Sequence, residues 1–310
     1  MKTMNTPFRI IGLLLFLFGL SLGFGQAQSK IEKSFDHIEK LEIQGGSISL
    51  SYEGNPSQSS IEVTADLGDD QNADKNLIFV TVGNTLKISY QNTGNWNNNH
   101  NKRYIHITGP EVIVLKAVNS SGKMHIKGVA SELTMLTASS GIIQVEDISG
   151  NLKLAGSSGK IEAYNVEGDV DCKMTSGIMD LEYIKGNTSL SSSSGKITAK
   201  HVAGELNVKI TSGSVDLEDI STLGELKLSS GMMNAKKVGF GPNTSFSGSS
   251  GMFKVKANAL LDNYNYDMNA GSGMVKVGKQ SSSDHLLIDH GAAYTIKGNI
   301  GSGMISIEKY

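Results

Sequence analysis

Asp180 and Asp216 are the residues from which a chemical reading of this chain can start. They hold matching places in "TSGIMDLEYI" and "TSGSVDLEDI", with Thr198 of "SSGKITAKHV" midway between them. If the three runs are strands stacked in register, the two carboxylates stand two strands apart, about 9.6 Å at the usual strand spacing. That separation suits an inverting glycosidase pair, in which one acid protonates the leaving group and the other activates a water. A second group, "DHLLIDHG", gathers Asp284, His285, Asp289 and His290, residue types that ligate zinc or another transition metal, at a spacing that matches no strong ligand motif. The acidic turn "DLGDDQNAD" (66–74) could hold calcium weakly, yet it lacks the alternating acids closing in Glu of a calcium loop. Each of these has a plainer reading as solvated surface, because the outward residues of a half-buried strand are polar as a rule. No Ser-His-Asp arrangement or phosphate-cradling loop stands out. The sequence therefore assigns no catalytic, cofactor-binding or metal-ligating residue and implies no cofactor.

The elements that would carry these side chains come from an internal repeat. Small polar triplets end in Gly122, Gly141, Gly159, Gly177, Gly195, Gly213, Gly231, Gly251, Gly273 and Gly303. The first seven are separated by 19 and then by 18 residues each time; the later gaps widen to 20, 22 and 30, which suggests loops inserted in the last coils. Two and four residues after each glycine the chain is apolar in every copy, from Met124 and Ile126 to Ile305 and Ile307, and the residue between is polar. Such alternation is a strand with one buried face. Further apolar sites fall seven residues after the glycine (Val129, Ile148, Val166) and five before the next one (Leu136, Leu154, Cys172). Cys172, the one Cys, cannot form an intrachain disulfide and reads as a buried small hydrophobe in that column, not as a nucleophile.

A unit of 18 residues cannot bury its own apolar side, so the units must stack and share a core. The expected fold is all-β: a parallel, right-handed β-solenoid of about ten coils, roughly 48 Å long at the strand spacing. The triplet is its corner, where Gly gives backbone freedom and Ser or Thr can satisfy backbone groups or their stacked equivalents. The column five residues after each glycine, Lys127, Glu146, Tyr164, Glu182, Lys200, Glu218, Lys236 and Lys256, should then form a ladder of largely alternating charge on the outer surface.

Residues 1–27 read as a secretory signal peptide, with Lys2 and Arg9 before the apolar run 10–24 and small residues at Gly25 and Ala27. Without Lys2 and Arg9 the chain holds 26 bases and 30 acids, a net charge of −4, which argues against a nucleic-acid partner. No later apolar run is long enough to span a membrane. Residues 28–119 read as an N-terminal β cap or irregular first coils, with Ile48 and Leu50 inward and "NTGNWNNNHNK" (92–102) an Asn-rich loop, and 120–310 as the regular solenoid. A cap is needed because an open solenoid end is a template for pairing with other chains.

A signal peptide, a β segment ending in "IHITGPEVIVLKAVNSSGKMHI" and serial "SSGKI" and "TSGSVDLEDI" coils together resemble the bacterial putative-adhesin domains of unknown function. The likeness covers residues 35–310, and the motif consists of coil-forming positions, so it brings no catalytic residues with it. It implies a β-solenoid in the cell envelope, periplasmic, surface-bound or secreted, acting as an adhesin-like binding or scaffold module on a surface, glycan or envelope-protein partner. The competing readings are a carbohydrate-active β-helix enzyme, lyase or hydrolase, built on the acidic column, and a partner of an envelope sensor.

Overall fold

The computed structural model describes residues 30–68, 73–91 and 103–310. The leader reading (1–27), the Asn-rich segment 92–102 and residues 69–72 of the acidic turn lie outside the described residues. The described chain is all-β apart from one helical turn, α1 (Ala73–Asn76), and a 3-10 turn at Leu261–Asn263. Its first strands are β1 (Lys30–Phe35), β2 (Lys40–Gly46), β3 (Ser49–Asn55), β4 (Ile61–Asp66), β5 (Leu77–Val82), β6 (Thr85–Tyr90), β7 (Tyr104–Pro110) and β8 (Val114–Asn119). The regular run follows as β9 (Lys123–Ala138), β10 (Ile142–Gly156), β11 (Lys160–Val166), β12 (Val170–Met174), β13 (Ile178–Ile184) and a continuous ladder, β14 (Thr188–Ala257), that winds through several coils. The last strands are β15 (Asn265–Ala270), β16 (Met274–Val277), β17 (Gln280–Ser282), β18 (His285–Ile288), β19 (Thr295–Ile300) and β20 (Met304–Lys309).

These strands form a β-solenoid with a strand of each coil on each of two faces. Coil-to-coil pairing is parallel and shifted by the repeat, as in Ile143↔Ile161, Ile161↔Met179 and Met179↔Ile197. All the inward columns read from the sequence are buried, from Met124 to Ile305 and from Ile126 to Ile307, and Cys172 is fully enclosed among them.

Two glycine columns set the corners. From Gly141 to Gly195 the N–H of the residue after the triplet glycine donates to the carbonyl of the glycine one coil back: Ile142 to Gly122, Lys160 to Gly141, Ile178 to Gly159 and Lys196 to Gly177, at 2.9–3.0 Å. From Gly141 to Gly231 these glycines have φ of +107° to +136°, and a Cβ would lie 2.0–2.2 Å from the carbonyl oxygen below. A second column, Gly150, Gly168, Gly186 and Gly204, turns the opposite corner; from Gly168 on, a Cβ would come within 2.3–2.4 Å of the glycine below. The serines contribute less by side chain than their abundance suggests. Main chain satisfies main chain, with Ser140, Ser158 and Ser176 N–H donating to the carbonyls of Ser120, Ser139 and Ser157.

The stacking order departs from the sequence order at both ends. The first coil, β2–β3, lies between the later coil β6–β7 and the regular run: β2 pairs with β6 and β8, and β3 with β7 and β9. The last coil does the same. β19 sits between β14 and β15, and β20 between β14 and β16, so Ile305 pairs with Phe253 on one side and Val275 on the other. The long final spacing of the repeat is therefore an end cap and a return, not a loop bulging from a coil. Beyond each outermost parallel coil the chain reverses. β5 runs antiparallel to β6 through a two-residue turn at Gly83 (φ +59°), and β17 runs antiparallel to β16 through a like turn at Gly278 (φ +58°). β4 covers β7, β1 covers β4, and β18 covers β15, all antiparallel. Phe35 of β1 and Phe79 of β5 stack at 5.5 Å across the first end.

The glycine columns give a direct test. Gly83→Ala introduces a Cβ that meets nothing within 4 Å, so only the positive φ (+59°) is penalised and the loss should be about 1–2 kcal/mol. Gly195→Ala adds the collision with Gly177 and should cost roughly 3 kcal/mol or more. Urea unfolding of the two variants measures the difference; equal losses would show that the coils do not approach at this corner.

Candidate functional site

On the face built from β11, β13 and β14, three outward columns run side by side over the five coils that begin at Gly159, Gly177, Gly195, Gly213 and Gly231. Strand alternation places the first two and a corner places the third. The first column is Glu162, Asp180, Thr198, Asp216 and Asn234, the second Tyr164, Glu182, Lys200, Glu218 and Lys236, and the third Asn165, Tyr183, His201, Asp219 and Lys237.

The first column contains the acids singled out in the sequence, and they stand in one line with Thr198 paired to Asp180. They do not converge. Asp216 accepts a hydrogen bond from Asn234 Nδ2 at 3.1 Å and has Lys196 Nζ at 3.5 Å. Glu162 is held by Lys160 Nζ and Gln144 Nε2, both at 2.5 Å. Burial alone would raise the Glu162 pKa, but these two donors outweigh it and hold the carboxyl below its ordinary value, while the hydrogen bond to Glu162 raises that of Lys160. Between Thr198, Lys200, Asp216, Glu218, Asn234 and Lys236 lies an open groove of about 390 Å³.

The third column turns a corner between two buried residues, four and seven places after the glycine, and its backbone is left-handed: Asp147 (φ 55°), Asn165 (56°), Tyr183 (59°), His201 (53°), Asp219 (57°) and Lys237 (53°). Asn and Asp tolerate that conformation, whereas bulky residues there are outliers. Their side chains stack from coil to coil. Asn165 Nδ2 donates to Asp147 Oδ1 at 2.7 Å, the Tyr183 and His201 rings lie parallel at 4.7 Å, and His201 Nδ1 is 2.9 Å from Asp219 Oδ2. Tyr164 meets Tyr183 edge to face at 5.2 Å. The Glu182 charge, and secondarily partial burial, push the Tyr183 phenol up. The sequence pattern marks the columns on either side of this corner and passes over the corner itself; the recurrence of Asp147, Asn165 and Asp219 at the repeat spacing is the signal that could have located it.

The other candidates separate. His285 and His290 stand at and beyond opposite ends of β18: His285 Nε2 is 2.9 Å from Asp267 Oδ1, and His290 Nδ1 is 2.8 Å from the Tyr264 carbonyl. Asp289 accepts the Gly291 N–H, and the Asp284 N–H donates to Ser282. Among the described residues no three His, Cys, Asp or Glu side chains come together as metal ligands. Asp66 accepts the Gly68 N–H. Burial pushes the Cys172 thiol far up, away from thiolate chemistry. On the opposite face a groove of about 530 Å³ runs past Asn151, Asp169 and Asn187, whose side-chain oxygens accept the N–H groups of Asp169, Asn187 and Glu205 one coil on. Those oxygens are committed to holding coils together.

Residues 38–308 match the Toastrack DUF4097 family. The chain belongs to that family. Among solved structures, the matches include a putative lipid binding protein from Parabacteroides distasonis (14% identity, 90% of this chain and 97% of that one, TM-score 0.35). A putative adhesin from Parabacteroides merdae matches at 13% identity over 91% and 96% of the two chains, with a TM-score of 0.31. A putative cell adhesion protein from Clostridium sporogenes matches at 12% over 91% and 100%, with a TM-score of 0.21. No functionally curated protein matches the sequence.

In this Toastrack chain the charge ladder of the second column continues to the returned last coil, where Glu308 pairs with Lys256 and has Lys276 Nζ at 2.7 Å. The hydrogen bond and charge of Lys276 hold Glu308 below its ordinary pKa of 4.5. A depressed carboxyl stabilises the fold above its unfolded pKa, and that stabilisation is lost as pH falls through the folded value. Glu308→Gln should lower the melting temperature by about 1–2 °C at pH 7, and the gap to wild type should close below about pH 4.5. A gap that persists unchanged at pH 2–3 would assign the effect to something other than this ion pair.

Proposed function

We propose that this chain is an exported, non-enzymatic binding module of the bacterial cell envelope, using the solenoid as a rigid frame to present its outward columns to a surface, glycan or envelope-protein partner. The observation that carries the reading is the state of the outward acids. Glu162, Asp216 and Glu308 are each engaged by a neighbouring lysine or amide, at separate points along the axis instead of converging on one point. General acid–base catalysis requires convergence of poised groups on a reacting bond; presentation requires only a stable surface. Export rests on the leader reading of residues 1–27, and no helix among the described residues is long and apolar enough to cross a membrane.

The test uses the chain from residue 28 onward. Saturable co-sedimentation with bacterial envelope fractions, with no release of reducing or unsaturated sugar ends from those fractions, is the expected result. Release of such ends that disappears in Asp180→Asn or Asp216→Asn would overturn the proposal in favour of a carbohydrate-active enzyme.

A further inference from the structure

Within that reading, on which the inference rests, we infer that the strip from Tyr164 to Lys236 is a binding site for an extended, uncharged β-linked oligosaccharide running along the solenoid axis. Four observations bear on it. Only four tyrosines are exposed among the described residues, and two of them, Tyr164 (49%) and Tyr183 (43%), touch each other on this strip. Tyr183 sits at a left-handed backbone position (φ 59°) that Asn165 and Asp147 occupy in the two preceding coils, so its aromatic ring is kept in spite of local strain. Strain of this kind persists where surrounding structure enforces it and clusters at ligand sites. Tyr164 is in line with the polar groove on Thr198, Asp216 and Asn234, because Tyr164 pairs with Glu182 and Glu182 with Lys200 in one column.

The fourth observation is the charge pattern. Glu182, Lys200, Glu218 and Lys236 alternate in sign, and Asp216 is balanced by Lys196, so the strip carries no dominant charge that would favour a polyanion or a polycation. It does offer carboxylate acceptors, ammonium donors and the Thr198 and Asn234 polar groups along its length, which is the mixed hydrogen-bonding surface that sugar hydroxyls need. Tyr164 supplies an apolar surface for the C–H face of a pyranose at one end. The rise of about 4.8 Å per coil is close to the length of one β-linked pyranose, so consecutive sugars can meet equivalent positions on consecutive coils. The strip covers five coils, and affinity should therefore grow with chain length up to about that many residues.

The experiment is calorimetric titration of the chain from residue 28 with cellohexaose, xylohexaose, mannohexaose and chitohexaose and with the matching trioses. Two variants address the site, Tyr164→Ala and Tyr183→Asn; the second relieves the strained backbone, so it should fold with a melting temperature no lower than wild type. Tyr294→Ala removes an exposed tyrosine elsewhere. The expected result is binding of at least one hexaose, more tightly than its triose, weakened at least tenfold by Tyr164→Ala and Tyr183→Asn and unchanged by Tyr294→Ala. Binding of none of the four hexaoses, or equal binding by folded Tyr164→Ala and Tyr183→Asn, would overturn the inference. Envelope co-sedimentation separates the two levels. If wild type and both variants sediment alike, the binding-module reading stands and this site falls. If wild type binds neither envelope nor sugar, both fall.

Discussion

The contact between stacked glycines, carbonyl under amide, fixes the rest of this molecule. At the triplet corners from Gly141 to Gly195 an N–H reaches the carbonyl of the glycine one coil back at 2.9–3.0 Å, and the space a Cβ would occupy is taken by that carbonyl. A larger residue would wedge the coils apart at one edge and break the strand pairing on both adjoining faces. With glycine there, every coil repeats the height of the last, so side chains 18 residues apart become neighbours. The apolar columns, the alternating charges and the stacked rings of Tyr183 and His201 all depend on that registration.

A solenoid pays for its regularity at the ends, where a parallel coil leaves unpaired backbone groups. This chain solves the problem the same way twice. Its first and last coils are not its outermost ones; each is clasped between the regular run and a second coil, and the connection from that second coil folds back as antiparallel strands. The clasp places β2 and β20, the strands nearest the chain ends that belong to parallel coils, inside the stack. Fraying from a terminus must then break pairing on two sides at once. The aromatic residues concentrate at these places: Phe35 with Phe79 at one end, and Phe240, Phe246, Phe253 and Tyr264 toward the other.

The inward columns are legible in the sequence because two periods constrain each residue, two along a strand and eighteen around a coil. Leu181 satisfies both and is fully buried. Stacking order is not legible by the same means. Ile305 looks alike to a neighbour at Val275 and to one at Phe253, since any apolar side chain completes the column, and only the widened spacing before Gly303 hints that the chain has travelled elsewhere and returned. The second glycine column stays hidden for a different reason. Gly168 and Gly186 lie beside Asp169 and Asn187, a combination that reads as an ordinary turn, while its meaning, a side-chain oxygen accepting an N–H from the next coil, exists only after stacking.

The site follows the same division. Asp180, Thr198 and Asp216 form a column that the repeat spacing alone reveals, because outward position on a strand is a matter of counting. At Tyr183 the corner beside them runs against local preference, since a left-handed backbone argues for Gly, Asn, Asp or His and the chain places a tyrosine there. Local and global demands agree almost everywhere along this solenoid, and natural sequences keep such agreement unless function opposes it. A repetitive fold makes the exception easy to locate, because the equivalent residue in each neighbouring coil shows what the backbone alone would select: Asn165 on one side of the Tyr183–His201 pair and Asp219 on the other. The column departs from that choice at Tyr183 and again at Lys237, and the Tyr183 ring stacks on His201 and meets exposed Tyr164 edge to face, in line with the polar groove.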